Sequence, residues 1–191
     1  MTSLKEGDKA PFFKGINQDG KEITSEDFKG KKLVLYFYPK DNTSGCTAEA
    51  CSLNDNYDTL TAQGYEVVGI SPDSAGSHQK FIAKYNLAFN LIADTDKKIL
   101  EDYGVWAEKS MYGRKYMGVL RTTFIIDEQG IIERVITKVN TKNAAEQILK
   151  KWIKIQLRNS ETQKLRNSET QKLRNSETQK LRNLETQKLR N

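Results

Sequence analysis

"KKLVLYFYPKDNTSGCTAEAC", residues 31–51, runs from an apolar block through a polar loop into a segment holding both cysteines of the chain. The block "KKLVLYFYP" is rich in β-branched and aromatic residues and is stopped by Pro39, so it reads as a buried strand. A helix is expected from Cys46, just after the turn at Gly45. From there Cys46, Ala50, Leu53, Tyr57 and Leu60 recur at spacings of three and four, an apolar stripe facing a core. Cys51 falls off that stripe, in line with Asn54, Asp55 and Asp58.

Working outward, "EVVGISPD" at 66–73 repeats the strand pattern, and "TTFIIDEQGIIERVITK" gives two strands joined at Gly130. Helices are predicted at about 46–62, 76–86, 94–103 and 142–155, and "FFKGINQDGKEIT" reads as a hairpin turning at Asp19–Gly20. Strands alternating with helices, closed by a hairpin and a helix, indicate an α/β domain with a mixed central β-sheet flanked by helices on both faces. The pattern is compatible with a thioredoxin-like fold but does not by itself choose among α/β folds.

At Leu157 the composition changes. LRNSETQK appears three times, then LRNLETQK, then LRN. Residues 1–156 are therefore expected to form one domain and 157–191 an octapeptide-repeat tail, disordered or loosely helical. Leucines every eight residues drift by roughly 80° per repeat around a helix, which builds no coiled-coil seam. One large apolar residue in about eight is also too little to offset the entropy of ordering. The formal charge of +6 belongs mostly to this tail, whose five Arg, four Lys and four Glu make +5 and leave +1 for the body. No basic groove, hence no nucleic acid, is expected there. No run approaches the ~18 apolar residues of a membrane span, and the N-terminus lacks the apolar core of a signal peptide. A cytoplasmic protein with reduced thiols is the expectation.

The two cysteines sit in different environments. A thiol in the first turn of a helix meets unpaired N–H groups and the positive end of the helix dipole, which favour the reactive thiolate; the alternative for Cys46 is packing as a small hydrophobe. Five residues along an ideal helix separate two Cα atoms by about 8.6 Å. A disulfide tolerates no more than about 7 Å, so if these cysteines bond to each other the first turns of the helix must unwind. A zinc site from two Cys and the single His78 would need carboxylates to complete it, and the spacing is not Cys-x-x-Cys. A Cys–His hydrolase would have to use His78, which "SAGSHQKF" places at an exposed, solvated helix start.

The stretch "YFYPKDNTSGCTAEAC", followed by "VVGIS", "GVWAEKSMYGRKYMG" and "LRTTFIID", resembles the peroxiredoxins, specifically the Q-type group also called bacterioferritin comigratory proteins. The resemblance runs from about Lys5 to Lys154. It implies a thioredoxin-like fold and a thiol-dependent peroxidase that needs no metal, haem or flavin. Hydrogen peroxide and small organic hydroperoxides would be the substrates and thioredoxin or a similar dithiol protein the reductant. By resemblance, Cys46 matches the peroxidatic cysteine, Cys51 the resolving cysteine that closes an intramolecular disulfide, and Thr43 the hydroxyl that orients the peroxide. Pro39 matches the ring that shields the sulfur, Arg121 the guanidinium beside it, and Glu49 a position that helps hold the arginine. A monomer is implied as well. Ser44 departs from the pattern, since many relatives carry proline there, and is expected to loosen the loop without removing a catalytic group. Two other readings stay open at this point: a thioredoxin-fold redox binding protein without peroxidase activity, and an interaction protein driven by the basic repeats.

Overall fold

The computed structural model describes residues 2–150 apart from 112, together with positions 166 and 171, both helical. The chain divides into two compact units, Met1–Ile148 and Leu149–Asn191. The expected boundary at 156 and nearly all of the repeat tail lie outside the described residues.

In unit 1 the order is β1 (Lys14–Asn17), β2 (Glu22–Thr24), β3 (Lys32–Phe37), α1 (Ser44–Asp55), α2 (Tyr57–Ala62), β4 (Tyr65–Ser71), α3 (Ala75–Tyr85), β5 (Asn90–Ala93), α4 (Lys98–Asp102), β6 (Trp106–Met111), β7 (Arg114–Val119), β8 (Thr122–Ile126) and β9 (Ile132–Ile136). A further helix starts at Ala144 and runs to residue 150. The main sheet has seven strands in the order β2-β1-β5-β4-β3-β8-β9, and β6 and β7 form a separate hairpin. β3 and β4, and β4 and β5, pair in parallel, while the outer pairs are antiparallel. This is the mixed sheet flanked by helices that the sequence predicts.

The two faces of β3 show how the apolar block is used. Alternate side chains point to opposite faces of a strand. Leu33, Leu35 and Phe37 enter one core with Phe13, Ile99, Leu100 and Phe124, where Phe37 and Tyr103 approach to 5.1 Å. Tyr36 and Tyr38 point the other way, stacked at 5.3 Å, toward Phe89 and Phe81 under α2 and α3. A strand covered on both faces must be apolar throughout, which is why "LVLYFY" shows no alternation.

Several boundaries shift for local reasons. The helix expected over 46–62 is broken at Asn56, whose amide donates to the Ser52 carbonyl at 2.9 Å and whose backbone leaves the helical region. The helix expected at 94–103 is confined to Lys98–Asp102, because Asp94 caps it by accepting from the Ile99 and Leu100 N–H groups. Within 142–155 a short 3-10 turn, Thr141–Asn143, comes first, and 151–155 fall outside the described residues. The β1–β2 hairpin turns as expected, with Gly20 at φ +74°. No described helix is long and apolar enough to cross a membrane.

Candidate active site

The loop after β3 and the first turn of α1 carry the proline, the threonine and the cysteine within eight consecutive residues, 39–46. Thr43 is the N-cap of α1, and its carbonyl accepts from Thr47 N–H at 2.8 Å. Its hydroxyl does not cap the helix and donates to the Lys40 carbonyl at 3.0 Å. Ser44 is then the first helical residue, a position where proline is also favoured because that N–H has no intrahelical acceptor. Serine and proline thus serve the same backbone there. The helix begins two residues before the expected start at Cys46, which makes Cys46 its third residue, still within the first turn whose N–H groups lack helical partners.

Arg121 arrives from a distant part of the chain. It stands just before β8, whose antiparallel pairing sets Thr122 against Phe37 at the end of β3. That register carries the guanidinium to the N-terminal turn of α1. Nη2 donates to the Cys46 sulfur at 3.2 Å and Nη1 to Glu49 Oε2. Glu49 is fully buried and one turn along α1 from Cys46, so sulfur and carboxylate lie on the same helix face and share one arginine. Cys46 itself is only 1% exposed.

Burial pushes the Glu49 carboxyl up to about 7, with the charge and hydrogen bond of Arg121 pulling the other way. Its second oxygen, Oε1, has no hydrogen-bond partner among the described residues. Arg121 is held above its usual range by Glu49 and the Cys46 sulfur, although burial opposes this. Cys51 is half-buried, and burial together with Asp55 raises its thiol. Neither cysteine is in a disulfide.

Cys46, Glu49 and Arg121 thus meet at the start of α1, with Thr43 at its N-cap and Pro39 earlier in the loop that leads to it, while Cys51 stands five residues beyond Cys46 on the same helix. His78 does not behave as the sequence suggests. It is completely buried, on α3, with Nδ1 2.9 Å from Asp41 Oδ2 and Nε2 3.2 Å from the Ile92 carbonyl. The polar residues around it hide that His78 and Phe81 are three apart and therefore share the helix face turned to the sheet. That spacing is the signal the sequence offers. Among the described residues no cluster of three or more His, Cys, Asp or Glu could hold a metal ion.

Residues 6–135 match the AhpC/TSA family. The chain belongs to that family. It is 49% identical over 137 residues to the putative peroxiredoxin bcp of Coxiella burnetii, covering 72% of this chain and 91% of that one. To peroxiredoxin Bcp of Escherichia coli it is 43% identical over 154 residues, covering 81% and 98%. Among solved structures, a cysteine-to-serine mutant of Xylella fastidiosa PrxQ superposes with a TM-score of 0.75 at 31% identity, covering 80% of this chain and 97% of that one. Xanthomonas campestris peroxiredoxin Q does so with a TM-score of 0.68 at 34% identity, covering 72% and 87%. The chain is a peroxiredoxin of the Q type with a thioredoxin-like fold, and a thiol-dependent peroxidase. Of the three readings open in the sequence, the redox binding protein without peroxidase activity gives way to the enzyme.

Proposed function

We propose that Cys46 is the sulfur that attacks peroxide and that Cys51 resolves the product. The observation that carries this is the Arg121 guanidinium, one nitrogen 3.2 Å from a buried Cys46 sulfur and the other on Glu49. In the first step the Cys46 thiolate displaces one peroxide oxygen. An S–O bond forms, the O–O bond breaks, and the leaving hydroxide or alkoxide takes a proton, giving sulfenic acid and water or alcohol. Charge leaves sulfur and builds on the departing oxygen, so donors fixed at that end of α1 lower the barrier. Arg121 supplies the charge, Thr43 a hydroxyl able to accept and donate, and Pro39 a wall against water.

In the second step the Cys51 sulfur attacks the Cys46 sulfenic acid, water leaves, and a disulfide forms. Both residues lie in the intact α1, about 8.6 Å apart at Cα by ideal helix geometry, so the helix unwinds locally first. Until it does, burial and Asp55 keep the Cys51 thiol protonated and out of competition for peroxide. Thioredoxin or a similar dithiol protein then reduces the disulfide. Hydrogen peroxide and small organic hydroperoxides are the inferred substrates, in line with the alkyl peroxide reduction activity of the Xanthomonas campestris bacterioferritin comigratory protein. A cytoplasmic monomer is inferred too, with 1–156 as the catalytic domain and 157–191 as an appended tail.

The test is stopped-flow oxidation of reduced protein by one equivalent of hydrogen peroxide, followed by intact mass. Rapid oxidation with loss of two hydrogens is the expected result; slow reaction overturns the assignment. Deleting residues 157–191 should leave the oxidation rate within about twofold of the full chain, because every group in the proposed site precedes residue 122. A large loss would mean the repeats belong to the catalytic unit.

A further inference from the structure

Between Pro39 and Ser44 the chain runs largely through solvent: Lys40, Asn42, Thr43 and Ser44 are exposed. Asp41 is the exception, at 5%. Its backbone N–H donates to Asp73 Oδ2 at 2.8 Å, and Asp73 is itself held by the Ser71 hydroxyl at the end of β4. One carboxylate oxygen accepts from the Tyr38 hydroxyl at 2.7 Å. The other accepts from the Ser77 hydroxyl at 2.6 Å and faces His78 Nδ1 at 2.9 Å. Tyr38, just past β3, and Ser77 and His78 of α3 therefore close on the Asp41 side chain, and Asp73, just past β4, holds its backbone N–H, in a loop that otherwise touches little. Burial pushes the Asp41 carboxyl up, but the donors of His78, Ser77 and Tyr38 outweigh it and leave it below its usual range.

His78 is the deepest member of the cluster. Its far nitrogen faces the Ile92 carbonyl on β5, so the imidazole is fixed at both ends and transmits the position of the sheet to Asp41. Nothing in the peroxide chemistry above uses either residue directly. Asp41 lies two residues after Pro39 and two before Thr43, the groups assigned to shield the sulfur and orient the peroxide. It also stands immediately before Asn42, which takes a left-handed backbone at φ +56° that few non-glycine residues adopt.

We propose that Asp41 and His78 are positioning residues: their buried pairing pegs the 39–43 loop, holds Pro39 and Thr43 in register with Cys46, and fixes the N-terminal limit of the α1 unwinding. The pairing then acts on the two halves of the cycle in opposite directions. It speeds peroxide attack, which needs the loop in place, since displacement of a positioned group by about 1 Å can cost on the order of a hundredfold. It slows disulfide formation, which needs the first turn of α1 released from the N-cap that this loop supplies.

The inference rests on Cys46 being the attacking sulfur, and a Cys46→Ser control separates the two: if that reading is wrong, Cys46→Ser keeps the fast oxidation whatever His78→Leu does. Single-turnover kinetics resolve the second-order oxidation by hydrogen peroxide from the first-order disulfide formation that follows. For His78→Leu we expect oxidation to slow by about tenfold and disulfide formation to accelerate about threefold. His78→Asn restores an N–H near the place of Nδ1 but not the contact to Ile92. It should oxidise within about threefold of wild type even where its thermal stability falls as far as that of the leucine variant. That rescue marks a positioning role, because loss of packing alone would affect both variants alike. Equal slowing of both steps, unchanged oxidation in His78→Leu, or no rescue by asparagine overturns the proposal. Should His78→Leu fail to fold, Ser77→Ala removes a donor from the same Asp41 oxygen at the rim of the core. It must give the same opposed shifts at smaller size, and their absence is equally decisive.

Discussion

Cys46→Ser is expected to lower the rate of peroxide reduction by roughly 10⁴-fold or more, to the level of the uncatalysed reaction, while Cys51→Ser consumes peroxide at an undiminished initial rate and then stops. The serine hydroxyl at position 46 fits the same space and can still accept from Arg121 Nη2, so the donor array survives. What is lost is the polarisable sulfur anion, for which a neutral hydroxyl is no substitute at ordinary pH. Cys51 differs from Cys46: among the described residues no guanidinium is hydrogen-bonded to it, and burial with Asp55 raises its thiol. Its removal therefore leaves the first step intact. Without it the sulfenic acid on Cys46 has no intramolecular partner, so intact mass should show one added oxygen, two with excess peroxide, and turnover with thioredoxin should fall to background. If Cys51→Ser instead loses the fast phase and Cys46→Ser keeps it, the roles are reversed.

The elements that can be read from sequence are those whose signal is local. β3, β4, β8 and β9 are apolar blocks bounded by Pro39, by the Asp and Ser residues after β4, and by Gly130, and each appears where expected. β5 gives little signal because Asn90–Ala93 offers only four residues, and β6 and β7 because their side chains present no strong apolar face. That Pro39, Thr43 and Cys46 share one loop and helix start is written in the sequence itself. The arrival of Arg121 is not, since it depends on β8 pairing with β3 across more than eighty residues, and only the family resemblance points to it. His78 is hidden from sequence for a related reason. A polar side chain is assigned to solvent unless its partner is known, and its partner, Asp41, lies 37 residues away.

The second large effect follows from the arginine that Cys46 and Glu49 share. Arg121→Met should slow oxidation by about 10²–10³-fold, the usual cost of removing one preorganised donor from a site of developing charge. Arg121→Lys should recover only part of it, because an ammonium is a single point of charge and cannot reach Glu49 Oε2 and the Cys46 sulfur as a guanidinium fork does. The same pairing governs how stability depends on pH. In the folded protein burial raises Glu49 from 4.5 to about 7 in spite of Arg121, so between those values the native state binds more proton than the unfolded chain. A carboxyl raised on folding contributes stability at low pH that is lost as pH climbs through its folded value. Glu49→Gln cannot titrate, so its stability relative to wild type should increase between about pH 4.5 and 7, by on the order of 3 kcal/mol at the upper end. In Arg121→Met the two influences that lower Glu49 are gone and its titration moves higher still. The decline in stability should then extend beyond pH 7, and the carboxyl should stay neutral at physiological pH rather than remain a buried, unpaired charge. Denaturant unfolding of the reduced proteins across that range measures this directly. Parallel curves for wild type and Glu49→Gln would show that the buried carboxyl does not titrate in this window. The loss of oxidation in Arg121→Met would then have to come from the sulfur's side of the arginine alone.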